Sequence, residues 1–281
     1  ALARLSIFRG GFTRDAAQEI ASADFQRLSS LIDKSLLRRA EDGRYQMLET
    51  LRQFAEMKLE HQVGARASVA ERHARYFLEI LRDRAEDLQA ATQKEALAYL
   101  EPESENIREA WLWACAYHKL PLASKATEGL FFFYELRAWF EDGAELFSRA
   151  VDAVEQSQNV TAAMGYLPRF LSRRGWFDYK LGRHGAARAA LLRSLQVARR
   201  ENQPAEIAFA LHNLGVINYQ LGNYSQGISD LQDSLSIWRE AGDERGIARA
   251  LSTLGIVARE RGDNQVAEKH LAESLALHRA T

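Results

Sequence analysis

The side chains best suited to bind a ligand in this chain are basic and aromatic, and they recur at an interval of 40 residues in its second half. Arginine and lysine pair with carboxylate or phosphate groups, and both pack against aromatic rings. Side chains of these types bind anions and acidic peptides without transforming them. The candidate binding residues are Arg169, Arg173, Trp176, Tyr179, Lys180, His212, Asn213, Tyr219, Arg249 and Arg259.

Residues with the spacing of a catalytic or metal site are absent from the sequence. It contains neither a G-x-x-x-x-G-K-[ST] loop nor a G-x-G-x-x-G loop for phosphate groups. The 7 histidines do not form a ligand set, and the single Cys115, in an apolar helical run, excludes an intramolecular disulfide and a cysteine-based zinc site. We therefore predict no catalytic residue, no metal site and no enzyme activity for this chain.

The elements that must position the binding residues repeat three times from Pro168 onward. The copies align on Gly175, Gly215 and Gly255, each near the middle of a predicted helix. A glycine there costs about 1 kcal/mol relative to alanine, so we expect the paired helix to pack closely against it. A second set of glycines suits the left-handed position after a helix. These are Gly182, Gly222 and Gly262.

This pattern resembles the tetratricopeptide repeat, a helix-turn-helix unit of an α-solenoid. With repeats starting at Pro168, Ala208 and Ala248, the small residues of that family fall on the first glycine of each copy and on Ala187, Gly227 and Ala267. In that family, ligands line the concave face formed by the first helix of each pair. The resemblance thus implies that the ten candidate residues share one surface.

The charge of the first repeat narrows the class of ligand. Residues 168–200 contain nine Lys and Arg against one acidic residue, although the formal net charge of the chain is −1. This asymmetry favours an acidic peptide, a carboxylate terminus or a phosphorylated ligand. The alternative is that these charges are solvated and bind nothing.

The first sixty residues predict helix, helix, hairpin and helix, which is winged-helix-like. Thr13 with Asp15 suits the start of one helix, and Ser22 or Asp24 suits the start of the next. Asp42-Gly43 suits a hairpin turn, and Glu49–Glu60 has the pattern of an amphipathic helix with Leu51, Phe54, Ala55 and Leu59 inward. Residues 1–60 contain ten basic and nine acidic residues, whereas a DNA-binding domain should be more basic. We therefore do not expect direct DNA binding.

Three segments resemble the region that follows the nucleotide-binding domain in STAND-type signal-transduction ATPases, such as the maltose-regulator and antibiotic-regulatory-protein groups of bacterial transcriptional activators. They read LARLSIFRGGFTRDAAQEIA, LSSLIDKSLLRRAEDGRYQMLETLRQFAEMKLE and ERHARYFLEILRDRAEDLQ. The resemblance implies a sensor arm that controls an upstream nucleotide-binding domain. ATP or ADP would bind in that upstream domain, and we expect no cofactor in this chain.

In that family a Met-His-Asp motif at the hairpin end contacts the nucleotide. Met47-Leu48-Glu49 occupies this place, so the resemblance puts Leu48 and Glu49 at the nucleotide-sensing position. Leucine cannot hydrogen-bond a phosphate, and glutamate would repel one. The alternative is that Met47 and Leu48 belong to the hairpin core and that Glu49 is an ordinary carboxylate at a helix N-terminus.

We predict a mainly α chain with a winged-helix-like N-terminal domain and a small hairpin, followed by an α-solenoid. The segments are residues 1–62 (winged helix), 63–160 (helical linker with degenerate repeats) and 161–281 (three repeats). The start without Met and the lack of an apolar run of ~20 residues favour a fragment of a longer cytoplasmic protein with no membrane contact.

Three functional hypotheses follow from the sequence. The first is the sensor arm of a STAND-type regulator, which binds a protein, a peptide or a small signal ligand, contacts its own upstream nucleotide-binding domain and controls transcription. The second is a constitutive tetratricopeptide scaffold for protein partners. The third is nucleic-acid binding through the winged helix. The missing upstream sequence separates the first two, since a phosphate loop there would support the regulator.

Overall fold

The computed structural model describes residues 1–62 and 64–280 as a series of α-helices with one small β-hairpin. The chain divides into two units, Ala1–Arg137 and Ala138–Thr281. The predicted boundary after residue 62 involves Val63, which lies outside the described residues, as does Thr281. The division into 1–62, 63–160 and 161–281 stays a prediction.

The first unit contains the winged-helix elements and the helices that follow them. They are α1 (Leu2–Leu5), α2 (Arg14–Ala21), α3 (Phe25–Asp33), β1 (Arg38–Arg39), β2 (Tyr45–Gln46), α4 (Glu49–Glu60), α5 (Ala65–Asp83), α6 (Gln93–Leu100), α7 (Ser104–Ala116) and α8 (Leu120–Leu136).

α2 and α3 begin where the sequence predicts, and each is capped by a side chain at its N-terminus. The Thr13 hydroxyl accepts a hydrogen bond from the Ala16 N–H, and the Asp24 carboxylate accepts one from the Arg27 N–H. β1 and β2 pair antiparallel around Gly43, whose φ of +83° is left-handed. The predicted winged-helix elements are therefore confirmed.

Aromatic side chains form much of the core of the next segment. Phe131, Phe133 and Tyr134 on α8 are buried, as is Trp111 on α7. α8 packs against α5, and at Gly129 a Cβ would lie 2.0 Å from the Leu81 carbonyl oxygen. The glycine therefore permits two helix backbones to approach more closely than any side chain would allow.

The buried Asn106 of α7 joins the winged-helix elements to the helices that follow. Its Oδ1 accepts from the Arg9 backbone N–H at 2.8 Å, and its Nδ2 donates to the Gly11 carbonyl and to Glu103 at 2.9 Å each. His73 Nε2 lies 3.3 Å from the same Oδ1. Because Oδ1 only accepts, Nε2 must carry the proton of the neutral imidazole.

The Glu103 carboxylate continues this network toward the hairpin. It accepts two hydrogen bonds from the Arg44 guanidinium next to β2, and Arg44 also donates to the Pro102 carbonyl at 3.1 Å. Burial alone would lower the pKa of Arg44, but the hydrogen bond to Glu103 and its charge raise the pKa above its ordinary value. A bidentate ion pair between Arg44 and Glu103 thus holds the hairpin against the start of α7.

The second unit is a run of helix pairs. Its helices are α9 (Phe140–Glu155), α10 (Val160–Ala163), α11 (Leu167–Lys180), α12 (His184–Arg200), α13 (Pro204–Gln220), α14 (Tyr224–Ala241), α15 (Glu244–Glu260) and α16 (Asn264–Ala280). Each of the pairs α11/α12, α13/α14 and α15/α16 packs together, and α12 and α14 also pack on the first helix of the next pair. This is the predicted solenoid.

The repeating glycines perform the roles that the sequence predicts. A Cβ at Gly215 would lie 2.7 Å from Leu231 Cγ and 2.9 Å from the Gly227 carbonyl oxygen, so the two helices of the pair touch there. Gly222 follows α13 with a φ of +84°, in the left-handed region that terminates a helix. In the pairs α11/α12 and α15/α16, a serine hydroxyl of the second helix donates to a backbone carbonyl of the first helix. Ser194 of α12, for example, donates to the Pro168 carbonyl at 2.7 Å.

Candidate ligand-binding surface

The three first helices, α11, α13 and α15, carry all ten candidate binding residues. α11 contacts α13, and α13 contacts α15, so these helices form one layer of the second unit. The structure divides the ten residues into two groups. Three are buried and serve the packing of this layer, whereas seven remain partly or fully exposed.

A buried carboxylate, Glu206 of α13, binds α11 to its neighbour. Its Oε1 accepts from Arg169 Nε at 2.8 Å, and its Oε2 accepts from Arg173 Nη1 at 2.5 Å. Burial alone would raise the pKa of Glu206, but the charges and hydrogen bonds of Arg173 and Arg169 outweigh it and hold the pKa below its ordinary value. Glu206 is therefore ionised at neutral pH.

Arg173 is not a ligand-binding residue in this conformation. It is only 5% exposed, and its guanidinium carbon lies 3.7 Å from the centre of the Phe209 ring, between that ring and Glu206. Sequence periodicity places Arg173 on the correct helix face but cannot show that Glu206 neutralises it. Arg173 is therefore corrected to a structural residue that joins two repeats.

His212 and Asn213 of α13 are also buried, and the same correction applies to them. The Asn213 amide donates to the Phe209 carbonyl of its own helix at 2.8 Å, and the His212 ring packs 5.5 Å from Trp238. Burial, together with the nearby charge of Arg249, lowers the pKa of His212 to about 3. The imidazole is therefore neutral, and a water-borne ligand cannot reach it.

The remaining seven residues form the accessible surface, which we call the first-helix surface. They are Arg169, Trp176, Tyr179, Lys180, Tyr219, Arg249 and Arg259.

Within this surface the cations and rings lie side by side. Lys180 Nζ lies 5.4 Å from the Trp176 ring centre, and Trp176 packs 5.3 Å from Tyr179. Arg249 lies 5.7 Å from the Phe209 ring on the neighbouring helix. Such an arrangement can pair with an anion while offering flat apolar area to its neighbouring groups.

Two tyrosines lie at equivalent positions of successive first helices. Tyr179 of α11 lies near Gln220 of α13, and Tyr219 of α13 lies near Glu260 of α15. Burial raises the pKa of Tyr179, and burial together with the Glu260 carboxylate raises that of Tyr219. Both hydroxyls therefore stay protonated at neutral pH.

The other candidate position, at the end of the hairpin, is separate from this surface along the chain. Leu48 is 53% exposed and precedes α4, so its predicted place in the hairpin core is wrong. Glu49 is exposed and accepts two hydrogen bonds from Arg52, at 2.7 and 2.8 Å. These bonds, with one from Gln53, lower the pKa of Glu49 to about 2. The nucleotide-sensing role of Leu48 and Glu49 stays a prediction.

A cleft of about 290 Å³ opens beside this position. Arg9, Arg38 and Arg52 line it together with the glycines Gly10 and Gly11. Arg52 is already engaged by Glu49 and by Glu56, whose carboxylate accepts from it at 2.7 Å. Arg9 also pairs with Glu56, at 3.3 Å, whereas Arg38 donates to the neutral Gln46 amide oxygen at 2.9 Å. Two of the three arginines of the cleft are therefore neutralised by carboxylates.

Neither a cluster of metal ligands nor a membrane-spanning helix is found in the part of the chain that the structure describes. Among residues 1–62 and 64–280, His, Cys, Asp and Glu nowhere gather in a group of three that could hold a metal ion. No helix in those ranges combines the length and apolar character needed to cross a lipid bilayer.

The fold and surface define a winged-helix domain followed by tetratricopeptide-type helix pairs. Two family models match the corresponding segments. Residues 1–60 match the winged helix-turn-helix domain, and residues 206–280 match the tetratricopeptide repeat. A comparison with curated proteins yields no match.

Two solved structures illustrate what this chain is similar to. BtubC (BKLC) from P. vanneervenii is 17% identical, with a TM-score of 0.50 over 94% of this chain and 91% of its own, which shows a shared fold alone. A STAND protein with a tetratricopeptide repeat sensor from Pyrococcus horikoshii is 18% identical, with a TM-score of 0.41, and covers 99% of this chain. This chain spans 50% of that protein.

Proposed function

We propose that this chain is the sensor arm of a STAND-type regulator and that the first-helix surface binds an acidic segment of a protein partner. The observation that carries the proposal is the exposed set of cations and rings on α11, α13 and α15. The match to the tetratricopeptide repeat supports a binding rather than a catalytic role. The sequence resemblance of residues 1–80 to STAND-type regulators supports the regulatory part.

In this proposal the partner contacts several repeats at once. Lys180 and Arg259 pair with its carboxylates, while Trp176 and Tyr179 contact apolar side chains between those carboxylates. Because α11 packs on α13 and α13 packs on α15, the surface is held in shape before the partner binds, which reduces the entropy lost on binding. The arm has no enzyme activity of its own and needs no cofactor.

In the intact protein, binding would release an upstream nucleotide-binding domain that holds ATP or ADP, and transcription would be the output. The observation that tests this part is the full reading frame. A phosphate loop upstream of Ala1 supports the regulator, and its absence would instead support a constitutive scaffold. Calorimetry gives a second test, because micromolar binding of ATP or ADP by residues 1–281 alone would contradict the proposal.

The binding surface is tested with Lys180→Glu combined with Arg259→Glu, because both side chains are exposed and their replacement should not disturb packing. Fluorescence anisotropy with a labelled peptide of alternating Glu and Tyr should show at least a roughly tenfold loss of affinity, about 1.4 kcal/mol. Arg188→Glu combined with Arg199→Glu, two exposed residues of α12, is the control with the same change of charge and should retain binding. Unchanged affinity in the double variant would exclude the first-helix surface.

A further inference from the structure

A second groove lies in the first unit, where α5, the end of α7 and the start of α8 meet. It has a volume of about 270 Å³. That is slightly below the range of roughly 300–1,000 Å³ that is usual for small-molecule pockets. The groove is therefore suited to one large side chain rather than to a cofactor. It involves neither the first-helix surface nor the hairpin end.

The floor of this groove is apolar. Leu78 of α5, which is almost completely buried, lies beneath it, and Leu122 and Pro121 of α8 form one wall. Trp113 of α7 forms another part and stacks at 4.9 Å on Tyr117, a residue that is itself 58% exposed. A partly exposed tryptophan beside a leucine floor is typical of the centre of a protein–protein contact.

The rim of the groove is positively charged. Four basic residues line it, namely Arg75, Arg82, Lys119 and Lys125, against two glutamates. Glu71 lies 3.9 Å from Arg75 and 3.6 Å from Lys119, and Arg82 pairs with Asp83 at 2.6 Å. With Asp83 counted, four basic residues face three acidic ones, so the rim keeps one positive charge in excess.

The start of α8 adds to this charge. Lys119 precedes the helix, the first turn contains no acidic residue, and the residues of that turn line the groove. The partial positive charge of a helix N-terminus therefore adds to that of the side chains.

We infer that this groove binds an acidic segment of a protein partner, with one Phe or Leu side chain in the groove and carboxylates on both sides of it. The apolar floor selects the central side chain, and the surplus of cations selects the flanking charges. Cationic or uncharged segments lack the second interaction. The inference stands independently of the first-helix surface, since it uses residues of the other unit.

The test uses the whole chain and a dye-labelled peptide in which one Phe is flanked on each side by three Asp. Fluorescence anisotropy should show saturable binding that weakens as salt is added. Replacing the Phe with Ser, or the Asp residues with Lys, should remove binding. No saturation at peptide concentrations up to about 1 mM would overturn the inference, because that corresponds to less than roughly 4 kcal/mol of binding energy.

Variants then locate the site. Lys119→Glu combined with Lys125→Glu should weaken binding about tenfold or more, whereas Lys119→Gln with Lys125→Gln should have a smaller effect in the same direction. Lys94→Glu, an exposed lysine outside the groove, is the control for one charge reversal and is compared with Lys119→Glu alone. If Lys94→Glu weakens binding as much as Lys119→Glu, the peptide binds by general charge and the inference fails.

The same peptide distinguishes this site from the first-helix surface. Lys180→Glu with Arg259→Glu should leave its binding unchanged, since those residues lie in the other unit. Loss of binding in that variant, with the groove variant unaffected, would place the peptide on the first-helix surface and overturn the groove assignment.

Discussion

Replacing Glu206 with glutamine should destabilise the second unit strongly. The substitution retains the shape of the side chain but removes the charge that neutralises the buried Arg173. Breaking a buried ion pair by removing one partner typically costs about 3–5 kcal/mol, because the other charge remains buried without compensation. Arg169 should contribute little to this cost, since its side chain is 36% exposed and can turn toward water.

The measurement is urea unfolding followed by circular dichroism, with Glu141→Gln as the control. Glu141 accepts from Arg183 at 2.8 Å, but both side chains are largely exposed, so this control should unfold much like the unmodified protein. A combined Arg173→Met and Glu206→Leu variant should have a free energy of unfolding within about 1 kcal/mol of that of the unmodified protein, because it removes both buried charges together. If Glu206→Gln costs no more than Glu141→Gln, the reasoning is refuted.

Three further perturbations test the packing of both units. Burial lowers the pKa of His73 to about 4 and that of His212 to about 3, from 6.5. Between pH ~6.5 and ~4, these histidines are therefore protonated in the unfolded chain but not in the folded chain. The free energy of unfolding should be at its full value above pH ~6.5 and lower by about 2 kcal/mol per histidine at pH ~5. Unfolding in urea at graded pH measures this, and a flat profile would contradict it. Gly215→Ala should cost about 1–3 kcal/mol through overlap with α14, whereas the control Gly185→Ala, with open space around it, should be neutral or slightly stabilising in thermal denaturation. Asn106→Ala should lower the melting temperature of the first unit and increase hydrogen exchange at the Arg9 amide, and unchanged exchange would show that this amide is held by other contacts.

The repeat architecture could be predicted from the sequence because its determinants are local and periodic. Gly215 and Gly222 have distinct spacings that indicate a close helix contact and a helix end, and both predictions are confirmed. The helix caps at Thr13 and Asp24 depend on residues three positions away, so they too can be inferred from the sequence.

The burial of individual site residues could not be predicted in the same way. Helical periodicity places Arg173 on the correct helix, but its burial depends on Glu206, 33 positions later and just before the start of the assumed next repeat. The one available signal is an acid in the first turn of α13, opposite two arginines of α11. Phe54 of α4 shows the opposite error, since its spacing predicts an inward side chain but it is 50% exposed. A single helix pattern does not show which neighbouring elements cover the helix.

The hydrogen bonds of Asn106 have a consequence for how this chain could be divided by recombination or proteolysis. One side chain of α7 satisfies the backbone at Arg9 and Gly11, nearly a hundred positions earlier. A winged helix excised after α4 would lose the partners of those backbone groups and expose the buried Phe8, whose ring packs on His73 and Phe77. The winged helix is thus not an independently folding domain. When segments are exchanged between related chains, the first unit should be kept whole as far as Arg137.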